Sequence, residues 1–183
     1  MSNIVTSSVI GELVRDKTFF DWWQSEMVAV PFWADQKLAV IFMGFEPEDD
    51  EHFIEDADKA MSAFLSLGLQ DKNAISSLVH QNYKDYLEDV GDDDIEEKIR
   101  SIKNENEIWQ FVHPTDIYVS RREKDNDIYV QIACECDWEA EHGLQLVFKQ
   151  GRKITRISAQ DGHMTEAEAY DKPDEQDELL SQF

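Results

Sequence analysis

Only 17 of the 183 residues are lysine or arginine, against 40 aspartates and glutamates, and the formal net charge is −23. A surface so poor in cations repels phosphate backbones and anionic lipid, so the sequence predicts neither nucleic-acid binding nor a membrane-surface role. Cysteine is nearly absent. The two present, Cys134 and Cys136, fall two apart on one expected strand, where side chains are poorly placed to bridge; a disulfide framework is excluded and a reducing compartment expected. No window approaches the roughly 18 apolar residues of a membrane span, and the opening Met-Ser-Asn-Ile-Val-Thr-Ser-Ser lacks the features of a secretory leader, so a cytoplasmic location is expected. The seven glycines are all isolated, which leaves no Gly-rich phosphate loop, and no serine or cysteine sits in a nucleophile elbow. No cofactor is predicted.

What the chain does have is apolar mass. Hydrophobic residues make up 42%, including 10 Phe, 5 Trp and 5 Tyr, enough for one core of ordinary domain size. The expected organisation is a single α+β domain over residues 1–165 and an acidic, partly disordered tail over 166–183, which has Leu179, Leu180 and Phe183 to bury.

Along the chain the apolar period is two, then about 3.6, then two again. Residues 10–15, 27–33 and 37–45 read as strands, the last two joined through Ala34, Asp35 and Gln36 as a hairpin. Residues 37–45 carry apolar groups on both faces and belong inside a sheet, whereas Pro31 marks its neighbour as an edge or a bulge. Phe19, Phe20, Trp22 and Trp23 are expected in the core. Phe53, Ala57, Met61, Phe64 and Leu65 then form a helical stripe closed by Gly68. A second helix, capped by Asp71, presents Ile75, Leu78, Val79, Tyr83, Tyr86 and Leu87 before Gly91, and a third begins at Asp93 with Ile95, Ile99 and Ile102 inward. Strands over 116–122, 127–138, 143–149 and 152–158 follow, with turns at 123–126 and 150–151, as an antiparallel meander. The predicted fold is therefore α+β: an antiparallel sheet of an N-terminal strand pair plus a C-terminal four-strand meander, packed with two or three helices.

One run gathers more chemistry than any other: Cys134, Glu135, Cys136, Asp137, Trp138, Glu139, Ala140, Glu141, His142, Gly143. Strand parity divides it. Ile128, Val130, Ile132, Cys134, Cys136 and Trp138 share one face with the core, so the thiols read as small buried hydrophobes. A zinc site would need two further ligands, for which only His142 and His163 are near in sequence, and the Cys-x-Cys spacing is not the usual one; no metal is predicted. The opposite face carries Tyr129, Gln131, Glu135, Asp137 and Glu139, a row of acids suited to a cation or a basic ligand. Glu141, His142 and Gly143 are expected at a corner, where Gly143 supplies a permissive dihedral. Two further acidic clusters, eight acids over 46–58 and seven over 88–97, lack the glycine and spacing of a calcium loop and sit at helix ends.

With Trp138, Glu141, His142 and Gly143 in a strand-turn-strand setting, the chain resembles an uncharacterised bacterial domain family that carries a Trp-x-x-Glu-His-Gly signature in a C-terminal meander. The resemblance spans most of residues 9–160. It implies a protein of unknown function similar to toxin-immunity proteins, and it carries over no catalytic residue.

The function expected is that of a non-enzymatic acidic binding protein, in its most concrete form an immunity-type inhibitor that occludes a basic partner. Its contacts are expected from Glu135, Asp137, Glu139, Glu141, His142, Asp92, Asp93 and Asp94. Two alternatives stand beside it: a divalent-metal-dependent hydrolase using Asp137, Glu139, Glu141 and His142, and a structural subunit whose apolar C-terminal end, residues 179–183, docks in an assembly.

Overall fold

The structure, a computed structural model, describes residues 3–90 and 94–182, with the side chains of 89, 90, 94–96 and 182 excepted. Among the described residues nine strands form one sheet: β1 (Ile4–Ser7), β2 (Gly11–Arg15), β3 (Trp23–Ser25), β4 (Val28–Val30), β5 (Gln36–Phe42), β6 (Val112–Arg121), β7 (Ile128–Cys136), β8 (Glu139–Lys149) and β9 (Lys153–Ser158). The order is β1-β2-β3-β5-β6-β7-β8-β9, with β4 paired to β5 off that path. Every pairing is antiparallel except β5 to β6. The class is α+β as expected, but the sheet is larger than the strand pair and meander read from the pattern, because β1, β2 and β3 extend it beyond β5.

The parallel step has a plain cause. Two strands running the same way need a long crossover, and here the chain between them folds as helices α1 (Phe53–Leu65), α2 (Leu69–Ala74), α3 (Ser76–Val90) and α4 (Asp94–Arg100). The expected stripe of α1 is buried through Phe53, Ala57, Met61 and Phe64. The second predicted helix is two: the chain leaves helical geometry at Ile75 (φ −103°, ψ 7°). Asp71 sits in the first turn of α2, where its carboxylate accepts from Gly68 N at 2.8 Å, rather than at the cap. Lys72 of α2 lays its ammonium 3.7 Å over the Trp33 ring and 4.8 Å over Trp109, closing the end of the core. In α4, the third helix expected from the sequence, Ile99 is fully buried; the expected cap at Asp93 and the side chain of Ile95 lie outside the described residues.

Leu38, Ala39, Val40, Ile41 and Phe42 are all buried, so β5 is covered on both faces as its composition requires. Pro31 lies on no edge strand: it opens a short 3-10 helix, Pro31–Trp33, in which φ is already suited to proline. Of the four aromatics Phe19, Phe20, Trp22 and Trp23, only Trp23, the first residue of β3, is fully buried, donating from Nε1 to Phe45 O at 2.9 Å; Phe19 and Phe20 stay exposed.

The main core lies between the sheet and α1, with Ile128, Val130, Ile132, Cys134 and Cys136 of β7, Leu144, Leu146 and Phe148 of β8, and Trp138 between them. Gly151, at φ +64°, lets α1 approach the β8 to β9 turn so closely that a Cβ there would stand 1.9 Å from Ala60 O. Arg121 fixes the start of α1 to the sheet, its Nε donating to Asp50 at 2.6 Å and a terminal nitrogen to Asp56 at 3.0 Å.

The opposite face of β7 to β9 is covered as well. Tyr129, Val147, Ala167 and Leu180 are buried but stand apart from the main core. Residues 166–182, read above as a loose tail, contain helix α5 (Glu166–Ala169) and two short 3-10 helices, Asp174–Gln176 and Leu180–Gln182. Buried Asp177 holds them together by accepting from the backbone of both Ala167 and Leu180, each at 2.9 Å.

Candidate functional site

The run singled out by sequence is the end of the β7 to β8 hairpin. β7 stops at Cys136 and β8 starts at Glu139, with Asp137 and Trp138 as the turn and Cys136 opposite Glu139. Trp138 explains why the chain reverses here. Its indole is buried, edge-on to Tyr83 of α3 at 5.9 Å, and it anchors the turn while Asp137 faces outwards. Asp137 N also donates to Phe111 O at 3.0 Å, which ties the tip to the start of β6.

This reversal corrects one expectation. Parity carried past residue 136 puts Glu139 in a line with Glu135 and Asp137, but Glu139 is on the returning strand. Its carboxylate is mostly buried, accepting from the backbone N–H groups of Glu141 (3.0 Å) and His142 (3.2 Å), with His142 Nδ1 at 3.6 Å. Glu139 therefore builds the site's backbone. The corner expected at Glu141 and His142 is an irregular stretch within β8, opposite a register shift in β7 between Cys134 and Cys136. Gly143 there has φ +62°, and Gln160 reaches across to donate to the Cys134 carbonyl at 2.9 Å.

Glu135, Asp137, Glu141 and His142 are exposed. Asp137 meets His113 Nε2 at 2.9 Å, a histidine on β6 whose place beside the tip its sequence position did not reveal. Asp92 and Asp93 lie outside the described residues; Asp94 opens α4, and its side chain is not among those described. The cysteines point the other way, buried and unpaired. Burial pushes the Cys134 thiol up, and that of Cys136 to about 12, so neither is poised as a thiolate. Among the described residues, no three His, Cys, Asp or Glu side chains are gathered to hold a metal ion.

Two concave surfaces lie elsewhere, along α1. A cavity of about 230 Å³ is lined by Asp56, Lys59, Arg121, Asn126, Gln150 and Arg152. A wider trough of about 810 Å³ runs on past Ser8, Asp58, Ser62 and Leu67. At its edge Asp58 is tied by Ser8, whose N and Oγ donate at 2.8 and 2.6 Å, and by Ser7 Oγ. Neither is lined by the hairpin acids.

A charged cluster on the outer sheet face went unread in the sequence. Arg121 and Arg122 are adjacent at the end of β6 and so point to opposite faces. Arg122, 2% exposed at its side chain, donates to Glu168 at 2.5 Å, to both oxygens of Asp174 at 2.9 and 3.0 Å, and to Asp125 at 3.1 Å. Burial by itself would lower its pKa; the bonds to Asp174 and Glu168 outweigh that and raise it. Arg156 on β9, 5% exposed, binds Asp161 at 2.5 Å and Glu166 at 2.9 Å. The available signal was the Arg-Arg pair itself, conspicuous in so acidic a chain.

The hairpin bearing Trp138, Glu141, His142 and Gly143 in an α+β meander defines an architecture rather than a reaction. Residues 9–164 match the family described as "Domain of unknown function (DUF6985)", and the chain belongs to it. No curated protein matches the chain, and no solved structure does. Among the described residues, no helix is long and apolar enough to cross a membrane.

Proposed function

We propose that this chain is a non-enzymatic binding protein that captures a basic partner on the exposed acids at the end of the β7 to β8 hairpin. The observation that carries the reading is the contrast within one turn: Trp138 is buried in the core while Glu135, Asp137 and Glu141 around it are exposed. An exposed array of carboxylates suits recognition by charge. His113 and His142, held against Asp137 and Glu139, give the array a histidine at either side.

The most concrete form of this reading is a bacterial immunity-type inhibitor that covers a basic surface of its target, such as a nuclease toxin. The net charge of −23 supports it through fast, charge-steered association. The test is capture from a native lysate on the immobilised chain at about 0.1 M and about 1 M salt, where the screening length falls from about 10 Å to about 3 Å. A basic protein retained at low salt and released at high salt is the expected result. Capture of no basic protein, or capture indifferent to salt, refutes the reading.

A further inference from the structure

The sheet face turned away from α1 gathers three cations in a chain that has few. Arg122, Lys149 and Arg156 stand on it, and the two guanidinium groups are almost wholly buried. What covers them is the C-terminal segment, residues 161–182, which contains eight acids and one lysine. The hold is chiefly polar. Arg122 takes Glu168 and Asp174, Arg156 takes Asp161, Glu166 and, at 3.4 Å, the Thr165 carbonyl, and Thr155 Oγ1 donates to Met164 O at 3.0 Å. The segment's buried hydrophobic side chains are Ala167 and Leu180.

Two further observations bear on what this face is for. Buried Arg156 Nε has no hydrogen-bond acceptor, so the present covering leaves one donor of a desolvated guanidinium unmet, which costs free energy. A segment that presented its carboxylates to all of Arg156 would relieve that cost. The family match also ends at residue 164, so nearly all of the covering segment lies outside the portion of the chain that matches.

We propose that the outer face of β6 to β9, centred on Arg122 and Arg156, is a docking site for an acidic peptide, and that residues 161–182 occupy it as an intramolecular strap which a carboxylate-rich segment of a partner displaces. The site lies towards the other end of β7 from the hairpin acids and is opposite to them in charge, so its failure leaves the reading above untouched.

The experiment uses the full chain carrying Glu168→Lys and Asp174→Lys, which repel the strap from Arg122, with a fluorescein-labelled synthetic peptide of residues 161–181 as probe. By anisotropy the peptide is expected to bind this variant at least about tenfold tighter than the unaltered chain, and adding Arg122→Gln is expected to abolish the gain. A folded variant, by circular dichroism, that ignores the peptide overturns the proposal, as does equal binding to both chains. If the variant does not fold, amide exchange in the unaltered chain decides: the N–H groups of Ala167 and Leu180 are expected to exchange at least about tenfold faster than those of Ile132 and Leu146 in the sheet. Exchange of all four at one rate would make the segment an integral part of the fold and overturn the proposal.

Discussion

Gly143 lies so close to the carbonyl of Cys134 that a Cβ built on it would stand 2.4 Å from that oxygen. The contact joins the two strands where their register shifts, and it is reinforced by φ +62° at the glycine. Gly143→Ala is therefore expected to destabilise the chain by roughly 2–4 kcal/mol, from backbone strain and collision together. Gly162→Ala, at φ +80° but facing open space, is expected to cost only about 1 kcal/mol for the dihedral. Urea denaturation of the two variants makes the comparison; equal losses would mean that the approach to Cys134 does not matter.

Arg122 gives a second contrast. Arg122→Met removes a buried cation shared by Glu168, Asp174 and Asp125 and leaves their carboxylates without it, so a loss of roughly 3–5 kcal/mol is expected. Lys124 binds the same Asp174 at 2.6 Å but is half exposed. Lys124→Ala is expected to cost less than about 1 kcal/mol. Denaturation midpoints measure both, and similar losses would contradict the assignment of the network to Arg122.

The dependence on acid follows from Asp174. The Arg122 guanidinium, with help from Lys124 and against partial burial, lowers its pKa from 3.8 to about 2. A carboxyl depressed on folding contributes stability above its unfolded value and loses it as pH falls through the folded one. The stability advantage of the natural chain over Asp174→Asn is thus expected to be constant above about pH 4 and to vanish as pH approaches about 2. Glu166 has the opposite sign, since burial raises its pKa despite Arg156; its penalty shrinks as pH falls. Denaturant titrations of Asp174→Asn and Glu166→Gln across pH 2–7 test the two signs.

The thiols provide a probe of the core. With Cys134 and Cys136 buried and their thiols pushed up by that burial, modification by a thiol-directed reagent at about pH 8 is expected to be at least about 100-fold slower in the folded chain than in urea. Rapid modification of the native protein would show that β7 does not present this face to the core.

These relationships were unequally legible in the sequence. The stripes of α1 and β7 were readable because burial on one face forces a fixed apolar period, and Leu38 to Phe42 announced a doubly covered strand in the same way. The turn at Asp137 and Trp138 was hidden because no glycine or proline marks it: Trp138 fits the parity of the strand before it and turns the chain by being buried. Ile75, where α2 and α3 separate, also keeps the helical period. The parallel β5 to β6 pairing depends on the crossover and leaves no local trace, and the meeting of His113 with Asp137 depends on β6 starting at Val112, ahead of the strand its pattern marks. The covering of the outer face escaped notice for a chemical reason. Asp161, Glu166, Glu168 and Asp174 look like solvated acids until their partners Arg122 and Arg156 are placed.

The central claim, a binding surface made of the hairpin acids, is tested most directly by neutralising them without touching the fold. The chain bearing Glu135→Gln, Asp137→Asn and Glu141→Gln, all exposed positions, is compared with the unaltered chain for capture of a basic protein at about 0.1 M salt. The account predicts at least about a tenfold loss of capture with an unchanged denaturation midpoint. Undiminished capture by the triple variant would contradict it.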